Sequence, residues 1–160
     1  MSFLEENLGQ NLVIGSYTFT ADEIIDFARK YDPQPFHLDA EAAKKSVFGG
    51  LCASGWHTTA VFMKLNVASI LAATKEALKR GETPPTFGPS PGFENLKWSK
   101  PVYAGDTITY KRVVHAIRPL ASRPGWSMLT MTTSAYNQNG EEVLLFDNAA
   151  MVKLPPKTGA

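Results

Sequence analysis

The chain has little of what marks several large classes of protein. One of its 160 residues is a cysteine, Cys52, so no disulfide can form within the chain and nothing argues for an oxidising compartment. Charged residues make up 19% of the sequence, the formal net charge is +1, and no long basic run exists, so nothing favours nucleic-acid binding. With three histidines and one cysteine, no metal-ligand spacing is present, and we expect no metal.

The sequence also shows neither the long apolar run of a membrane-spanning helix nor the pattern of a secretory signal. The apolar stretch within residues 56–80 is interrupted by His57, Lys64 and Asn66, and it falls short of the roughly 18 apolar residues of a membrane-spanning helix. The first six residues are acidic and lack a basic segment before an apolar core, so we expect no secretory signal. These features predict a cytoplasmic protein that binds neither membrane nor nucleic acid.

Local signals in the first half of the chain predict a strand followed by helices. β-Branched and aromatic residues predict a strand over 12–20. Thr20 and Glu23 have the spacing of a capping box, which begins a short amphipathic helix that Pro33 ends. Asp39 is a candidate N-cap for a second short helix.

The second half predicts one long helix and then consecutive strands. Residues 56–80 have a helical pattern that is apolar on nearly all sides over its first two thirds, which predicts a central helix buried by other structure. The Asn139-Gly140 pair predicts a hairpin turn within an antiparallel meander. The predicted strands cover residues 93–98, 107–116, 126–136 and 143–154. Together these elements predict a single α+β domain over residues 1–160.

An acid and a base lie close together in the segment Asp32-Pro33-Gln34-Pro35-Phe36-His37. Proline fixes its own φ and biases the residue before it toward extended backbone, so we expect no regular helix here. Residues five apart in an extended segment point to opposite faces, so a bend is needed for Asp32 and His37 to converge. A rigid, bent loop of this kind suits an active site that handles water. The alternative is that Asp32 only closes a turn at the end of the helix.

The segment from Tyr31 to Asp39 resembles the hydratase motif of the MaoC-like, (R)-specific enoyl-CoA hydratases, Asp-x-Asn-Pro-(Leu/Ile/Phe)-His. Ser54-Gly55, before the long helix, is similar to the family's His-Gly-Met segment at the same distance from the catalytic histidine. The resemblance spans residues 15–154, and the two motifs together are more specific than either one. It extends to three dipeptides after the helix, Lys97-Trp98, Pro101-Val102 and Gly105-Asp106.

This resemblance implies a hotdog fold, in which an antiparallel sheet wraps a long central helix and copies pair as a homodimer or a dimer of dimers. It implies an (R)-specific enoyl-CoA hydratase or 3-hydroxyacyl-CoA dehydratase, which adds water reversibly to a trans-2-enoyl thioester. Asp32 and His37 would be catalytic, and the Gly55 N–H, with Ser54 beside it, would bind the thioester oxygen. CoA would enter as part of the substrate, with no other cofactor. Which member of the pair protonates C2 stays open.

Two positions depart from the family pattern. Gln34 stands where the family has asparagine, so the hydrogen bonds that support the loop are expected to differ. Ser54 stands where a histidine is frequent, and a histidine is found instead at His57, near the start of the predicted long helix. His57 is therefore a candidate to support the site, and the alternative is a buried polar group bonded within the helix.

Two rival functions share the same predicted fold. A hotdog thioesterase would place a carboxylate against the thioester carbon, usually from the long helix, yet residues 56–73 contain no Asp or Glu. A non-catalytic protein that binds acyl thioesters would not need both Asp32 and His37. Cys52 near His57 could suggest a Cys-His nucleophile, but a lone buried cysteine usually behaves as a small hydrophobic residue. The acyl chain and its carrier, CoA or an acyl-carrier protein, are left open.

Overall fold

The computed structural model describes residues 1–156, in which a curled antiparallel sheet packs on one long helix. The strands are β1 (Asn11–Thr18), β2 (Thr86–Phe87), β3 (Gly92–Lys97), β4 (Thr107–Pro119), β5 (Ser127–Tyr136) and β6 (Glu142–Lys153). They pair in the order β1-β4-β5-β6-β2, and β3 also pairs with β6. The predicted α+β class and the hotdog fold are therefore confirmed.

Five helices within the described residues complete the fold. They are α1 (Phe3–Glu6), α2 (Ala21–Tyr31), α3 (Pro35–Leu38), α4 (Ala40–Lys44) and α5 (Gly55–Lys79). The predicted caps are present: the Thr20 side chain accepts from the Glu23 N–H at 3.3 Å, and the Asp39 carboxylate accepts from the Ala42 N–H at 2.7 Å. Each cap satisfies a backbone donor that the first helical turn leaves free.

One face of the sheet is held against α5 by packing and by hydrogen bonds. The rings of Phe62 on α5 and Phe146 on β6 meet edge to face, with centroids 5.1 Å apart. The Tyr110 hydroxyl, fully buried on β4, donates to the Thr58 carbonyl on α5 at 2.8 Å. Alternate residues of a strand share a face, so Ile108 and Tyr110 of β4 pack in the same cluster as Val61 and Phe62 of α5, while Val114 on that face packs with Leu4 of α1.

Nothing within residues 1–156 covers the opposite face of α5. Met63, Val67 and Leu71 lie four residues apart on the helix and are 51%, 47% and 63% exposed. The sequence pattern predicts that α5 is buried on nearly all sides. That prediction is correct only for the side of the helix that faces the sheet. A single curled sheet covers one side of a helix, so the other side needs a second covering surface.

Three short elements were not predicted from the sequence: α1, α3 and β2. The last is a strand of two residues that pairs with β6. The expectation that the Asp32–His37 segment contains no helix is wrong for its second half, because Pro35 begins α3. Proline suits the first position of a helix, since its fixed φ is helical and no intrahelical acceptor exists there for an N–H. Within residues 1–156, no helix is both long and apolar enough to cross a membrane.

Candidate active site

The junction of α2 and α3 brings Asp32 and His37 together. Asp32 ends α2, with its N–H donating to the Ala28 carbonyl at 2.8 Å, and the Gln34 N–H then bonds back to the Asp32 carbonyl at 2.7 Å. Pro35 starts α3 immediately afterwards and turns the chain back. As a result, His37 Nε2 lies 3.3 Å from Asp32 Oδ2. The two prolines thus produce the bend that convergence requires.

The orientation of the His37 ring is set by a backbone carbonyl. The Nδ1 atom lies 2.6 Å from the Cys52 carbonyl oxygen, and the ring is buried. A carbonyl oxygen can only accept, so Nδ1 carries a hydrogen and donates it. Cys52 is itself held by a bridge to Tyr103 and by its N–H, which donates to the Phe36 carbonyl at 3.3 Å. Nε2 is therefore the ring atom available for proton transfer.

The Asp32 carboxylate is held in its ionised form. Burial raises its pKa, but hydrogen bonds from Gln34 and Ser54 and the charge of His37 outweigh burial, so its pKa is lower than usual. The Gln34 amide donates to Oδ1 at 2.7 Å, while Oδ2 faces His37. An ionised Asp32 can only accept hydrogen bonds, which suits it to hold a water molecule beside Nε2.

The N-terminus of α5 supplies a hydrogen-bond donor to the same region. Ser54 is fully buried and caps the helix, with its hydroxyl accepting from the Trp56 N–H at 3.3 Å. The Gly55 N–H is the first of the helix, and within residues 1–156 it donates to no acceptor. The positive end of the helix dipole adds to its attraction for a negative oxygen.

The Trp98 indole lies directly over Gly55. A Cβ atom at position 55 would come within 2.3 Å of Cδ2 of that ring, so only glycine allows the contact. The indole is held by its Nε1–H, which donates to the Thr59 hydroxyl at 3.2 Å, and by an edge-to-face contact with Trp56, with centroids 5.0 Å apart. The close approach, rather than an unusual φ, explains the glycine.

These groups line one cavity of about 620 Å³. The structure thereby brings together five residues singled out in the sequence: Asp32, Gln34, His37, Ser54 and Gly55.

His57 does not join this cavity. Its ring stacks on Phe27 with centroids 4.6 Å apart, and it meets Phe19 edge to face. Its Nδ1 is buried and has no hydrogen-bond partner in the described chain, so it is buried as the alternative holds but is not bonded within the helix. Burial lowers the pKa of His57, and the nearby charge of Glu23 opposes that shift.

Three contributions to the site were not evident from the sequence. The Cys52 carbonyl is a backbone group, which no residue pattern reveals, and the Cys52 thiol contributes no nucleophile because burial raises its pKa to about 11. Trp98, which follows β3, also lines the cavity. The pairing of glycine at position 55 with a bulky ring at position 98 is the signal that could have identified it. The third, the Gly55–Trp98 contact itself, depends on residues 43 positions apart in the sequence.

Comparison with known proteins agrees with this architecture. The model of the MaoC like domain family matches residues 5–124. The uncharacterized protein YdeM of Bacillus subtilis (strain 168) is 29% identical over 158 residues, which cover 95% of this chain and 97% of that protein.

Two solved structures share the fold over nearly the whole chain. The crystal structure of the MaoC-like dehydratase from Rhodospirillum rubrum has a TM-score of 0.79 and 34% identity, and the match covers 98% of this chain and 99% of that one. The (R)-hydratase from A. caviae involved in PHA biosynthesis has a TM-score of 0.62 and 26% identity, covering 92% of this chain and 96% of that one. With most of its length matched by the family model and its fold shared throughout, the chain belongs to the MaoC-like dehydratase family.

Proposed function

We propose that this chain is an (R)-specific enoyl-CoA hydratase, or 3-hydroxyacyl-CoA dehydratase, that adds water reversibly to a trans-2-enoyl thioester. One observation carries the proposal: Asp32 and His37 Nε2 lie 3.3 Å apart in a cavity that is also lined by Gly55, whose N–H has no acceptor within residues 1–156. Family membership and the shared fold of the A. caviae (R)-hydratase support hydratase or dehydratase chemistry.

In the hydration direction, Asp32 and His37 hold a water molecule that lies beside both the carboxylate and Nε2 and bonds to each. An O–H bond of that water breaks as its oxygen bonds to C3, and the pair takes up the proton. The electron pair of the C2=C3 bond passes into a thioester enolate, whose oxygen accepts from the Gly55 N–H. The pair then returns a proton to C2, so no group is consumed. CoA enters as part of the substrate, and no further cofactor is required.

The fixed tautomer of His37 gives the ring a defined role in this scheme. Because Nδ1–H is committed to the Cys52 carbonyl, a proton taken up at Nε2 creates an imidazolium that this carbonyl and Asp32 both stabilise. The carbonyl thus performs the orienting task that a carboxylate performs in other acid–base sites.

We also propose that a second copy of this chain covers the exposed stripe of α5 formed by Met63, Val67 and Leu71. A contiguous apolar stripe on a helix is costly to leave in water. Within residues 1–156, β3 pairs with β6 alone, so its other edge is open to a strand of a second copy. Light scattering coupled to gel filtration should give a dimer or tetramer, and a monomer at micromolar concentration would contradict this arrangement.

The function is tested by incubating the protein with a panel of trans-2-enoyl-CoAs. Hydration removes the absorbance of the enoyl-thioester band without releasing thiol. Release of free thiol from the same substrates would instead identify a thioesterase, in which water attacks the carbonyl carbon. Binding with neither signal would identify a non-catalytic thioester-binding protein and overturn the proposal.

A further inference from the structure

A second cavity, of about 340 Å³, lies beside the candidate active site at the start of α5. Trp56 lines both cavities, and its ring meets that of Trp98 above Gly55. From this junction the second cavity extends along α5 as far as Met63, and residues of β3 and β6 bound its other side. The cavity is therefore in position to receive the acyl group of a thioester whose oxygen binds the Gly55 N–H.

The wall of this second cavity is rich in aromatic rings. Four of its ten lining residues are aromatic, against 11% of the whole sequence: Trp56, Phe62, Phe93 and Phe146. Among the described residues, no leucine, isoleucine or valine lines it. The surface that meets a bound group is thus made of flat rings rather than of branched aliphatic side chains.

The polar groups of the wall are few and are used within the protein. No Asp, Glu, Lys, Arg or His of the described chain lines the cavity. The Thr59 hydroxyl donates to a carbonyl of α5 at 2.9 Å, and the Ser90 hydroxyl donates to a carbonyl of β6 at 2.6 Å. The Asn148 side-chain oxygen accepts from a buried hydroxyl of β5 at 3.2 Å. Such a wall favours a neutral, apolar acyl group over one that carries a charge.

Neighbouring rings of the wall meet at steep angles rather than in stacks. The centroids of Phe93 and Phe146 lie 6.1 Å apart with the planes at 67°, and those of Trp56 and Phe93 lie 6.5 Å apart at 60°. Trp56 and Phe93 are 49% and 48% exposed, so each ring has surface that a bound group can cover. An aromatic guest extends this edge-to-face arrangement, whereas an alkyl guest gains apolar burial alone.

The position and size of the cavity suit a ring attached directly to C3 of the acyl group. From Gly55, α5 advances about 6 Å to Thr59 and about 12 Å to Met63, at 1.5 Å per residue. With C–C bonds of about 1.5 Å, a ring on C3 spans about 4 to 7 Å from the thioester carbonyl carbon. It therefore lies at the level of Thr59 and Ala60, within the lined space. An apolar cavity of about 150 Å³ is enough to hold benzene, so about 340 Å³ is sufficient.

We propose that the preferred substrate carries an aromatic ring on C3, as a 3-arylacryloyl thioester or its hydrated 3-aryl-3-hydroxypropanoyl form. This inference rests on the proposed function, since it names the substrate class of the same site. A side chain from a second copy is the other candidate occupant, because Met63 belongs both to this cavity and to the exposed stripe of α5. The acyl group is favoured because the cavity begins at Trp56, beside the Gly55 donor, whereas the stripe continues away from it toward Leu71.

The test measures binding, so it does not depend on turnover. Calorimetry on the full-length protein would compare 3-phenylpropanoyl-CoA with 3-cyclohexylpropanoyl-CoA. The two thioesters have the same carbon skeleton, and neither has the C2=C3 bond that hydration requires. We expect the phenyl thioester to bind at least about fivefold more tightly. Equal affinities, or a preference for the cyclohexyl ring, would overturn the inference.

Two substitutions in the wall and one outside it locate the preference. Phe93→Leu removes one ring but keeps an apolar side chain, so the preference should fall to about twofold or less. Phe3→Leu, on α1 in a separate core cluster, should preserve it. Ala60→Phe places a new ring in the cavity and should weaken binding of 3-phenylpropanoyl-CoA at least about tenfold. Acetyl-CoA, whose acyl group is too short to enter the cavity, should bind this variant as it binds the wild type.

Light scattering on the same variants distinguishes the acyl group from a second copy as the occupant of the cavity. Dissociation of the oligomer in Phe93→Leu, or an undiminished phenyl preference in that variant, would overturn the inference. A preserved phenyl preference in a protein that dehydrates neither 3-hydroxy-3-phenylpropanoyl-CoA nor any aliphatic 3-hydroxyacyl-CoA would instead count against the proposed function alone.

Discussion

His37 donates its Nδ1 hydrogen to the Cys52 carbonyl at 2.6 Å, and this bond leaves Nε2 as the ring nitrogen that faces Asp32. The ring is buried, so it has no freedom to exchange the two nitrogens without losing that bond. Nε2 therefore faces Asp32, with 3.3 Å between Nε2 and Oδ2.

Replacing either member of the pair should remove catalysis while leaving the fold intact. Asp32→Asn and His37→Gln keep similar volumes but lose the proton-handling groups, so each should lower the rate of crotonyl-CoA hydration by at least about a hundredfold. Initial rates from the enoyl absorbance, with circular dichroism as a check on folding, provide the measurement.

Matched substitutions of the same chemistry serve as controls. Asp26→Asn lies on the exposed face of α2, and His115→Gln lies at an exposed position of β4. Both should retain nearly wild-type rates. Near-normal turnover by Asp32→Asn or His37→Gln would remove that residue from the mechanism.

Gln34 should tune the pH dependence of the reaction. Its amide donates to the ionised Asp32 carboxylate at 2.7 Å and so lowers the pKa of that group. In Gln34→Leu the pKa rises, and the acidic limb of the kcat/KM profile should move to higher pH, since the ionised form is lost earlier as pH falls. Gln34→Asn should shift the limb less, and Gln10→Leu, at an exposed position on a remote loop, should leave it unchanged. A profile that does not move in Gln34→Leu would show that Asp32 ionisation does not limit the rate.

Gly55 and Trp98 should behave as a coupled pair. A Cβ at position 55 meets the indole at 2.3 Å, so Gly55→Ala must displace the ring that borders the free N–H. Misplacement of about 1 Å near a reacting centre can cost up to about a hundredfold, and we expect a loss of at least about tenfold. In a Trp98→Ala background the same glycine substitution should have little further effect on kcat/KM. Additive losses would mean that the two residues act independently.

His57 should make stability, rather than catalysis, depend on pH. Burial lowers its folded pKa below the usual 6.5, so the unfolded chain binds more protons between those two values and stability falls as pH drops through that window. His57→Phe fits between Phe27 and Phe19 and removes the unpartnered Nδ1, so it should flatten the curve by up to about 1.4 kcal/mol per pH unit. Urea unfolding from pH 7 to pH 5 measures the difference. Parallel curves for the two proteins would contradict the assigned pKa direction.

Sequence signals that act over a few residues were sufficient to predict many of the helices and turns of the fold. The Thr20 capping box, the Asp39 cap and the Asn139-Gly140 turn are local hydrogen-bonding devices, so their residues predict their structures. Periodicity located α5 within one residue of each observed end. Pro35 was read only as a helix breaker, although the same fixed φ lets it begin a helix, and sequence alone does not choose between these roles.

The parts of the site that were not predicted depend on long-range packing. Asp32 and His37 are close in sequence, but the group that orients His37 is a carbonyl 15 residues away. The indole over Gly55 joins the segment after β3 to α5, and the contact of Arg112 with Asn66 joins β4 to α5. Such pairs become neighbours only when the sheet curls around the helix, so no local pattern encodes them.

The orientation of His37 by a backbone atom leaves the side chain at position 52 free to change. Cys52 is the sole thiol of the sequence, and its sulfur makes only a long contact of 3.8 Å with Nδ1, against 2.6 Å for the carbonyl oxygen. Cys52→Ala would therefore yield a thiol-free protein in which the carbonyl bond persists. Such a chain gives no background in assays of released CoA, and it accepts a single new cysteine at any surface position for fluorescent or spin labels that report on substrate entry.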